Sequence, residues 1–368
     1  MKKKRVLFFI KNLTGGGAER VLIDLLKRLD PDEFDISVRT IFDQGVYISQ
    51  LPEYITYRSS IKKEFKGFVY LAQLFSPRRL YRFFIKEDYD LVVAFLEGIT
   101  TRIASGGDGV KKITWLHIDQ KRSIYLKPYR SLKEMEACYN RFDHVCAVSD
   151  FALDGLKALI DLKTASGVIH NIIEKDHIRR LAQEEAGISF PTDAIILGSV
   201  GRLEEQKGYL RLVPILGRLK REGYSFYFYL LGTGTQEQQI RTAVKQHALE
   251  DRFFMLGFQK NPYKYMKHFD LFVSSSHYEG FSLVVCEAAI VDVPSLTTYI
   301  NGLDEIVGPE NKCSLAVDNS EEGLYNGLKE LIEKRDMLES MKKNCKLAGD
   351  YFQPEKIAAK VVELFNQY

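Results

Sequence analysis

The sequence has few of the features that mark disulfide-rich, membrane-spanning or nucleic-acid-binding proteins. Five cysteines are scattered over 368 residues and none lies in a CxxC motif, so the sequence predicts neither a disulfide framework nor a zinc site. No apolar run reaches the roughly 18 residues that a membrane-spanning helix needs. The net charge of +3 is smaller than the basic excess of a typical nucleic-acid-binding domain. We therefore expect a globular protein of a reducing, cytoplasmic compartment, with no nucleic-acid partner.

The positive charge is unevenly distributed along the chain. Residues 1–185 contain 31 Lys and Arg against 25 Asp and Glu, whereas the remainder contains 21 against 24. The excess in the first half indicates contact with an anionic surface or ligand. The length, together with 45% hydrophobic and 12% aromatic residues, predicts two domains with cores of their own.

Short apolar runs alternate with helical patterns along both halves, which predicts an α/β fold with two doubly wound, Rossmann-like domains. The predicted strands are residues 6–10, 36–41, 91–95, 113–116, 145–148 and 167–169 in the first half, and 195–200, 226–231, 253–256, 271–274, 295–298 and 314–317 in the second. We expect an N-terminal domain of residues 1–172, a C-terminal domain of residues 173–355, and a final helix of residues 356–368 that packs back on the first domain.

A glycine-rich loop joins the first predicted strand to the first helix. Consecutive glycines at Gly15, Gly16 and Gly17 allow a sharp turn that brings backbone N–H groups close to an anion at the helix N-terminus. The dinucleotide fingerprint GxGxxG is broken, because Arg20 stands where the third glycine should be. This argues against an NAD-dependent oxidoreductase, the alternative enzyme. A tight turn without a ligand also explains the loop.

Two cations follow the first predicted strand of the second half. Arg202 and Lys207 lie where α/β sheets bind ligands, so they are candidates for neutralising a polyphosphate. The alternative is a solvated loop in which Glu204 and Glu205 cancel their charge.

A pair of carboxylates flanks the start of an apolar helix predicted to begin near Phe281 or Ser282. Glu279 precedes the helix and Glu287 lies inside it, two turns later. The free N–H groups of Gly280 to Leu283 suit an anion, and the carboxylates suit sugar or ribose hydroxyls. A carboxylate inside such a helix needs a partner, since burial without one is costly. The alternative is a helix cap plus an ordinary surface glutamate.

These residues resemble a known family. Glu279-x7-Glu287, with Gly-Phe-Ser after the first glutamate, is similar to the EX7E signature of retaining glycosyltransferases of family four, which have the GT-B fold of two facing Rossmann-like domains. The order and spacing of four further segments strengthen the resemblance: Gly15 to Glu19, Trp115-Leu116-His117, Gly201 to Gly208, and Leu231-Gly232-Thr233-Gly234.

The resemblance implies a role for each matching residue. It implies that Arg202 and Lys207 bind the donor diphosphate, and that Glu279 binds the sugar and phosphates together with Gly280, Phe281, Ser282 and Leu283. It places Glu287 at the ribose, His117 at the donor sugar and Phe258 at the edge near the base. Further backbone contacts with substrate are implied for Gly16, Gly17, Gly232 and Gly234. It implies metal-independent transfer of a hexose from a UDP-linked donor to a saccharide or lipid-linked saccharide acceptor, with retention, without a cofactor, in surface polysaccharide or glycoconjugate synthesis.

Two departures and two alternatives accompany this interpretation. Residues 290–294 lack the glycine that the family often has, and residues 301–305 differ from its Gly-x-Pro-Glu loop, so the donor sugar is not implied. An inactive nucleotide-sugar-binding module is the alternative from a different class. The DxD segments at residues 30–32 and 88–90 precede predicted strands and are interpreted as polar turns. His117 with Asp119 could form an acid–base or metal pair, or His117 could be structural.

The stretch from Ile61 to Lys86 combines basic and aromatic residues. It contains seven cations (Lys62, Lys63, Lys66, Arg78, Arg79, Arg82 and Lys86) and seven aromatics (Phe65, Phe68, Tyr70, Phe75, Tyr81, Phe83 and Phe84). This composition suits an anionic lipid surface, so we expect peripheral attachment to the inner face of the membrane. The alternative is two core helices with solvated cationic faces, divided at Pro77.

Overall fold

The computed structural model describes residues 2–14, 16–121, 126–299 and 312–368, apart from the side chains of residues 348–351. The chain forms two compact units, one of Met1–Ile173 together with Gln353–Tyr368, and one of Glu174–Phe352. The first unit therefore ends at residue 173, one residue after the expected 172. The chain returns to it at residue 353, three residues before the expected 356.

The first unit is built on a parallel sheet of seven described strands in the order β3-β2-β1-β4-β5-β6-β7. The strands are β1 (Lys4–Ile10), β2 (Phe34–Phe42), β3 (Thr56–Ile61), β4 (Leu91–Ala94), β5 (Lys111–Leu116), β6 (His144–Ala147) and β7 (Ala165–Val168). Residues 6–10 of β1 are fully buried, as expected of a strand with helices on both faces of its sheet.

The hydrophobic pattern of the sequence does not predict β3. Among the described strands, β3 pairs only with β2, and its side chains are exposed or part-exposed along its whole length. An edge strand needs no continuous apolar run, so the hydrophobic pattern contains no signal for it.

Helices connect these strands, and the C-terminal helix of the chain also belongs to the first unit. They are α1 (Gly17–Leu26), α2 (Phe68–Gln73), α3 (Pro77–Phe84), α4 (Ile99–Ala104), α5 (Leu132–Tyr139), α6 (Asp150–Lys157) and, after the second unit, α14 (Pro354–Gln367). Pro77 is the first residue of α3, capped by Ser76, so the proline does divide the basic stretch. The Phe365 ring of α14 lies 5.8 Å from Phe8 and 6.0 Å from Phe34.

The second unit has a parallel sheet of six described strands in the order β10-β9-β8-β11-β12-β13. The strands are β8 (Ile195–Val200), β9 (Phe226–Leu231), β10 (Phe253–Gly257), β11 (Leu271–Ser274), β12 (Ser295–Thr298) and β13 (Ser314–Val317). The predicted bounds are confirmed for every strand except β10, which is one residue longer. These runs are recognisable because nearly all their residues are buried or part-buried.

The described helices of the second unit are α7 (Lys175–Ala182), α8 (Tyr209–Arg221), α9 (Glu237–Gln246), α10 (Tyr263–Met266), α11 (Leu283–Ile290), α12 (Glu321–Glu333) and α13 (Arg335–Tyr351). In each sheet the strand order reverses beside the first strand, at β1/β4 and at β8/β11. The carboxyl ends of strands at such a reversal form the crevice where open α/β sheets bind ligands. None of the helices described is both long and apolar enough to cross a membrane.

Candidate active-site residues in the two units

The loops after β8 and β11 are joined at the strand-order reversal of the second sheet. The His277 N–H donates to the Gln206 carbonyl over 2.8 Å, and the Gln206 side-chain amide donates to the Tyr278 carbonyl over 3.0 Å. The Ser275 hydroxyl donates to the Lys207 carbonyl over 2.9 Å. Adjacent parallel strands bring these loops to one edge, and the hydrogen bonds then fix them to each other.

Lys207 and Glu279 form an ion pair across these loops, with 2.7 Å between Lys207 Nζ and Glu279 Oε1. The same oxygen accepts a hydrogen bond from the Ser276 hydroxyl at 2.6 Å. The Glu279 residue is only 8% exposed, so both contacts act in a poorly solvated place. The sequence does not predict the role of Ser276, because nothing in a run of three serines distinguishes the one that contacts the carboxylate.

Glu287 lies on α11 and is held by a different partner. The Tyr263 hydroxyl, from α10, donates to Glu287 Oε1 over 3.0 Å, and both residues are buried. The expectation that this carboxylate needs a partner is met. Tyr263 could not be identified from the sequence, since only tertiary structure brings it across from a residue 24 positions away.

The N-terminus of α11 differs from the expectation. The helix begins at Leu283, one or two residues later than predicted. The Leu283 N–H donates to the Phe281 carbonyl over 3.0 Å, so the expectation that this amide is free for an anion is wrong. Gly280 and Phe281 are buried before the helix. The Ser282 hydroxyl is buried and has no hydrogen-bond partner within the described ranges, and such a group requires an explanation.

Arg202 is exposed, and its guanidinium makes no ion pair with any residue that the structure describes. Glu204 forms no ion pair with Arg202. The Glu204 carboxylate instead accepts hydrogen bonds from the Thr235 N–H at 3.0 Å and the Thr235 hydroxyl at 2.6 Å, and these bonds lower its pKa, with a smaller effect from the Arg202 charge. The cation is therefore available at the crevice.

Gly232 and Gly234 allow close backbone packing beside Arg202. A Cβ at Gly232, which has φ +136°, would lie 1.9 Å from the Gly201 carbonyl oxygen, and one at Gly234 would lie 2.5 Å from the Leu203 carbonyl oxygen. Larger residues would push the loop after β9 away from the loop after β8. Phe258 follows β10 with 67% of its surface exposed, so its ring is accessible.

In the first unit, the described part of the glycine loop leads directly into α1; Gly15 lies outside the described residues. Gly16 is the N-cap and Gly17 the first helical residue. A Cβ at Gly16 would lie 2.2 Å from Glu19 Oε2, so the loop passes close to a carboxylate.

His117 follows β5 and contacts Glu97, a residue that the sequence motifs do not point to. Its backbone N–H donates to Glu97 Oε2 over 2.9 Å, whereas its Nε2 is buried without a partner in the described chain. Burial lowers the His117 pKa to about 3, so the ring is neutral near pH 7. Burial raises the Glu97 pKa to about 7, and the charge of Glu19 adds to the rise. Glu97 lies just after β4, at the carboxyl end of a predicted strand, and this position is the one sequence feature that could have identified it as a candidate.

The structure also shows the contacts of Asp119 and of the DxD segment at residues 88–90. Asp119 Oδ1 accepts the Lys121 N–H at 3.0 Å, a local turn, and the described chain shows no hydrogen bond between Asp119 and His117. Asp90, the last residue of the second DxD segment, lies directly before β4, and its Oδ2 accepts the Arg5 N–H at 2.8 Å. Among the described residues, no three His, Cys, Asp or Glu side chains form a group that could hold a metal ion.

Two Rossmann-like units, each with a crevice at its strand-order reversal, are the architecture of many α/β enzymes that bind nucleotides. The family model named Glycosyltransferase Family 4 matches residues 15–177, and the model named Glycosyl transferases group 1 matches residues 182–348. The chain thus consists of one domain from each of these families and is a glycosyltransferase with the GT-B fold. These matches make the oxidoreductase alternative wrong.

Individual proteins resemble this chain over nearly its whole length. A Campylobacter jejuni enzyme named N-acetylgalactosamine-N,N'-diacetylbacillosaminyl-diphospho-undecaprenol 4-alpha-N-acetylgalactosaminyltransferase is 26% identical over 95% of this chain and 96% of its own. Anabaena HepE, solved with UDP and glucose, has a TM-score of 0.79 at 20% identity, covering 99% of this chain and 100% of its own. WaaG, described as a glycosyltransferase of lipopolysaccharide biosynthesis, has a TM-score of 0.76 at 14% identity, covering 98% and 99%. The structural likenesses concern the fold.

Proposed function

We propose that this glycosyltransferase transfers a hexose from a UDP-linked donor to a lipid-linked saccharide, with retention of configuration and without a metal ion. The observation that carries the proposal is the Lys207–Glu279 pair, which joins a cation and a carboxylate at the ligand-binding edge of the second sheet. A nucleotide sugar carries a diphosphate and hydroxyl-bearing rings, so it requires both kinds of group.

Arg202 and Lys207 bind the diphosphate and stabilise the charge that develops on it as the glycosidic bond breaks. Arg202 can form two parallel hydrogen bonds to phosphate oxygens, while Lys207 acts as a point charge. The acceptor hydroxyl attacks from the side of the leaving group, and its proton passes to a phosphate oxygen. A covalent route through a carboxylate is less favoured, because neither Glu279 nor Glu287 is expected on the far face of the sugar.

The remaining site residues bind the rest of the substrate. Glu287, held by Tyr263, accepts the ribose hydroxyls, and the unpaired Ser282 hydroxyl together with Gly280 and Phe281 meets the phosphates or sugar. Gly232 and Gly234 let backbone approach the nucleotide, and Phe258 lies at the base. In the first unit, Gly16 and Gly17 contribute backbone contacts, and the neutral His117 ring offers Nε2 to a sugar hydroxyl.

The relatives support the choice of donor and acceptor classes. HepE was solved with UDP and glucose, which favours a UDP-linked hexose here. The name of the Campylobacter jejuni relative describes a sugar acceptor linked through diphosphate to undecaprenol, which favours a lipid-linked acceptor in surface polysaccharide or glycoconjugate synthesis.

A lipid-linked acceptor requires the enzyme to work at a membrane, and the first unit has a surface that suits one. Five large apolar side chains on or beside α2 and α3 are exposed: Tyr70, Leu71, Leu74, Phe75 and Phe83. The same stretch of sequence, residues 61–86, contains seven cations. We therefore propose that this surface, the α2–α3 patch, binds anionic lipid at the cytoplasmic face.

The reaction is tested with purified protein, a panel of nucleotide sugars and a lipid-linked acceptor. Glu279→Ala should lower turnover at least tenfold, about 1.4 kcal/mol of barrier. Glu287→Ala should mainly weaken nucleotide binding. Wild-type activity in both variants would contradict the assignment. Binding of a nucleotide sugar without transfer or hydrolysis would instead favour the inactive binding module.

A further inference from the structure

The two oxygens of the Glu279 carboxylate have different surroundings. Oε1 accepts from both Lys207 Nζ and the Ser276 hydroxyl, at 2.7 and 2.6 Å. Within the described residues, Oε2 accepts no hydrogen bond. Oε2 is not one of the fully buried oxygens of the described residues, although Glu279 as a whole is only 8% exposed, so the hydroxyl group of a ligand can reach this acceptor.

We propose that Ser276 is a positioning residue that fixes Glu279 through Oε1, so that Oε2 accepts a hydroxyl group of the donor sugar. The inference rests on the proposed function, because it takes the ligand of this edge to be a nucleotide sugar. A hydroxyl donor matches the vacant acceptor, whereas a phosphate oxygen would be repelled by the carboxylate.

Ser276 is better suited than Lys207 to hold the carboxylate during the reaction. The Lys207 ammonium is attracted to a diphosphate, so its contact with Glu279 is weakened or shared once the donor binds. The Ser276 hydroxyl is neutral and buried, with 2% exposure, and has no other acceptor in the described residues. Rotating the carboxylate away would leave this hydroxyl unpaired, which is unfavourable.

The backbone of Ser276 is itself held in place. Its carbonyl accepts hydrogen bonds from Arg211 at 2.9 Å and from the Thr298 hydroxyl at 2.6 Å. The hydroxyl that orients Glu279 therefore stands on a fixed support, and the direction of Oε2 is set before any sugar arrives.

The proposal predicts a difference between binding of the nucleotide and binding of the sugar. Titration calorimetry would measure the Kd of UDP, UDP-glucose and UDP-N-acetylgalactosamine for the full chain. In Ser276→Ala, the Kd of UDP should stay within about twofold, whereas the affinity of the preferred UDP-sugar and its turnover should fall about tenfold, the size expected for one lost hydrogen bond to a charged group. Ser276→Thr, which keeps the hydroxyl, should retain the discrimination.

Two controls separate positioning from general damage. Ser274→Ala removes a buried hydroxyl from the end of β11, two residues before Ser276, where the structure shows no hydrogen bond to Glu279, and should behave as wild type. In a Glu279→Ala background, Ser276→Ala should have no further effect, because its action passes through that carboxylate. If Ser276→Ala proves unstable, Ser276→Cys replaces it and is compared with Ser276→Thr and with the Ser276→Cys/Glu279→Ala double variant. These measurements then test the same role of the hydroxyl.

Three outcomes are distinguishable. Loss of sugar affinity with normal UDP binding, absent in the Glu279→Ala background, supports the proposal. Equal weakening of UDP and UDP-sugars by Ser276→Ala, or additive effects in the double variant, overturns the role of Ser276 and leaves the proposed function standing. Failure of the wild-type protein to bind any of the three probes overturns the proposed donor and this inference with it.

Discussion

Burial pushes both Glu97 and His117 toward their uncharged forms. The pKa of Glu97 rises to about 7 and that of His117 falls to about 3, because protein atoms replace the water that would stabilise either charge. Both residues follow neighbouring parallel strands, β4 and β5, at the carboxyl-terminal edge of the first sheet. A neutral imidazole and a carboxyl with a raised pKa suit hydroxyl ligands, which exchange hydrogen bonds without bringing a compensating charge.

The shifted pKa of Glu97 predicts a pH-dependent stability. Below its unfolded pKa of about 4.5, Glu97 is protonated in both states; between that pH and about 7 only the folded state keeps the proton, so stability falls as pH rises through this window. Glu97→Gln should therefore gain about 1–3 kcal/mol over wild type at pH 8, but little at pH 4.5. The charged or titratable groups that face it are Glu19, Tyr129 and Tyr139.

Urea unfolding followed by tryptophan fluorescence measures this effect. Trp115 is the single tryptophan and lies on β5, so the signal reports on the first unit. A difference between Glu97→Gln and wild type that is the same at pH 4.5 and pH 8 would show that Glu97 has an ordinary pKa.

Substitutions of Arg202 and Lys207 should differ in their effect on stability, although we propose that both residues bind the diphosphate. Lys207→Ala leaves the Glu279 carboxylate poorly solvated without its cation, which should cost about 1–3 kcal/mol of stability. Arg202→Ala removes an exposed guanidinium and should leave the melting temperature unchanged. Each should lower turnover on the order of a hundredfold, by analogy with lost oxyanion donors. Thermal melting and initial rates measured side by side would contradict the assignments if Arg202→Ala kept full activity.

At the scale of elements, α2 and α3 show how one stretch can be both core and surface. Phe68, Leu80 and Phe84 pack into the first unit, so part of the alternative interpretation as core helices is correct. The C-terminal end of α2 is held by the fully buried Arg102, which donates to the Ala72 carbonyl over 3.0 Å and pairs with Glu134 at 2.8 Å. This attachment holds the opposite side of α2 at the surface, where its apolar side chains are exposed.

The α2–α3 patch predicts salt-sensitive binding to anionic vesicles. The protein should float with phosphatidylglycerol-containing vesicles at low salt and be released when salt screens the seven cations. Leu74→Ser, at a side chain that is 73% exposed, should weaken flotation several-fold because apolar insertion is lost. Leu347→Ser is the matched control, since Leu347 is 74% exposed but lies on α13 of the second unit. Equal flotation of both variants, or none of the wild type at low salt, would mean that the patch does not insert.

At the scale of the whole molecule, the choice between a metal and fixed cations determines how the departing diphosphate is stabilised. A diphosphate leaving group gains roughly one negative charge, which a divalent ion or positioned cations can stabilise. Arg202 makes no ion pair within the described ranges, and Lys207 lies at the same edge of the sheet, so the proposed diphosphate site contains two fixed cations.

Activity should therefore survive an excess of EDTA. The assay compares initial rates of sugar transfer with EDTA, with added magnesium and with added manganese, using the Arg202→Ala/Lys207→Ala double variant as the reference for lost charge stabilisation. Abolition by EDTA with rescue by a divalent ion would contradict the mechanism, as would full activity of the double variant.

Much of this architecture can be derived from the sequence because parallel strands buried on both faces read as short apolar runs, as the predicted bounds of β8, β9 and β11 demonstrate. The exposed edge strand β3 has no such run and was missed. The positions of Arg202, Glu279 and Glu287 after strands or within a helix were likewise visible as local patterns.

The partners of the site residues could not be predicted from the sequence, since nothing in it distinguishes Ser276, Tyr263 and Glu97 before the chain folds. Whether the Leu283 amide is free, which oxygen of Glu279 is occupied, and how far burial shifts the pKa of Glu97 depend on contacts between separate loops and strands. Tertiary structure alone decides those, because a hydrogen-bond partner or a loss of solvent is set by what packs nearby and not by the neighbours along the chain.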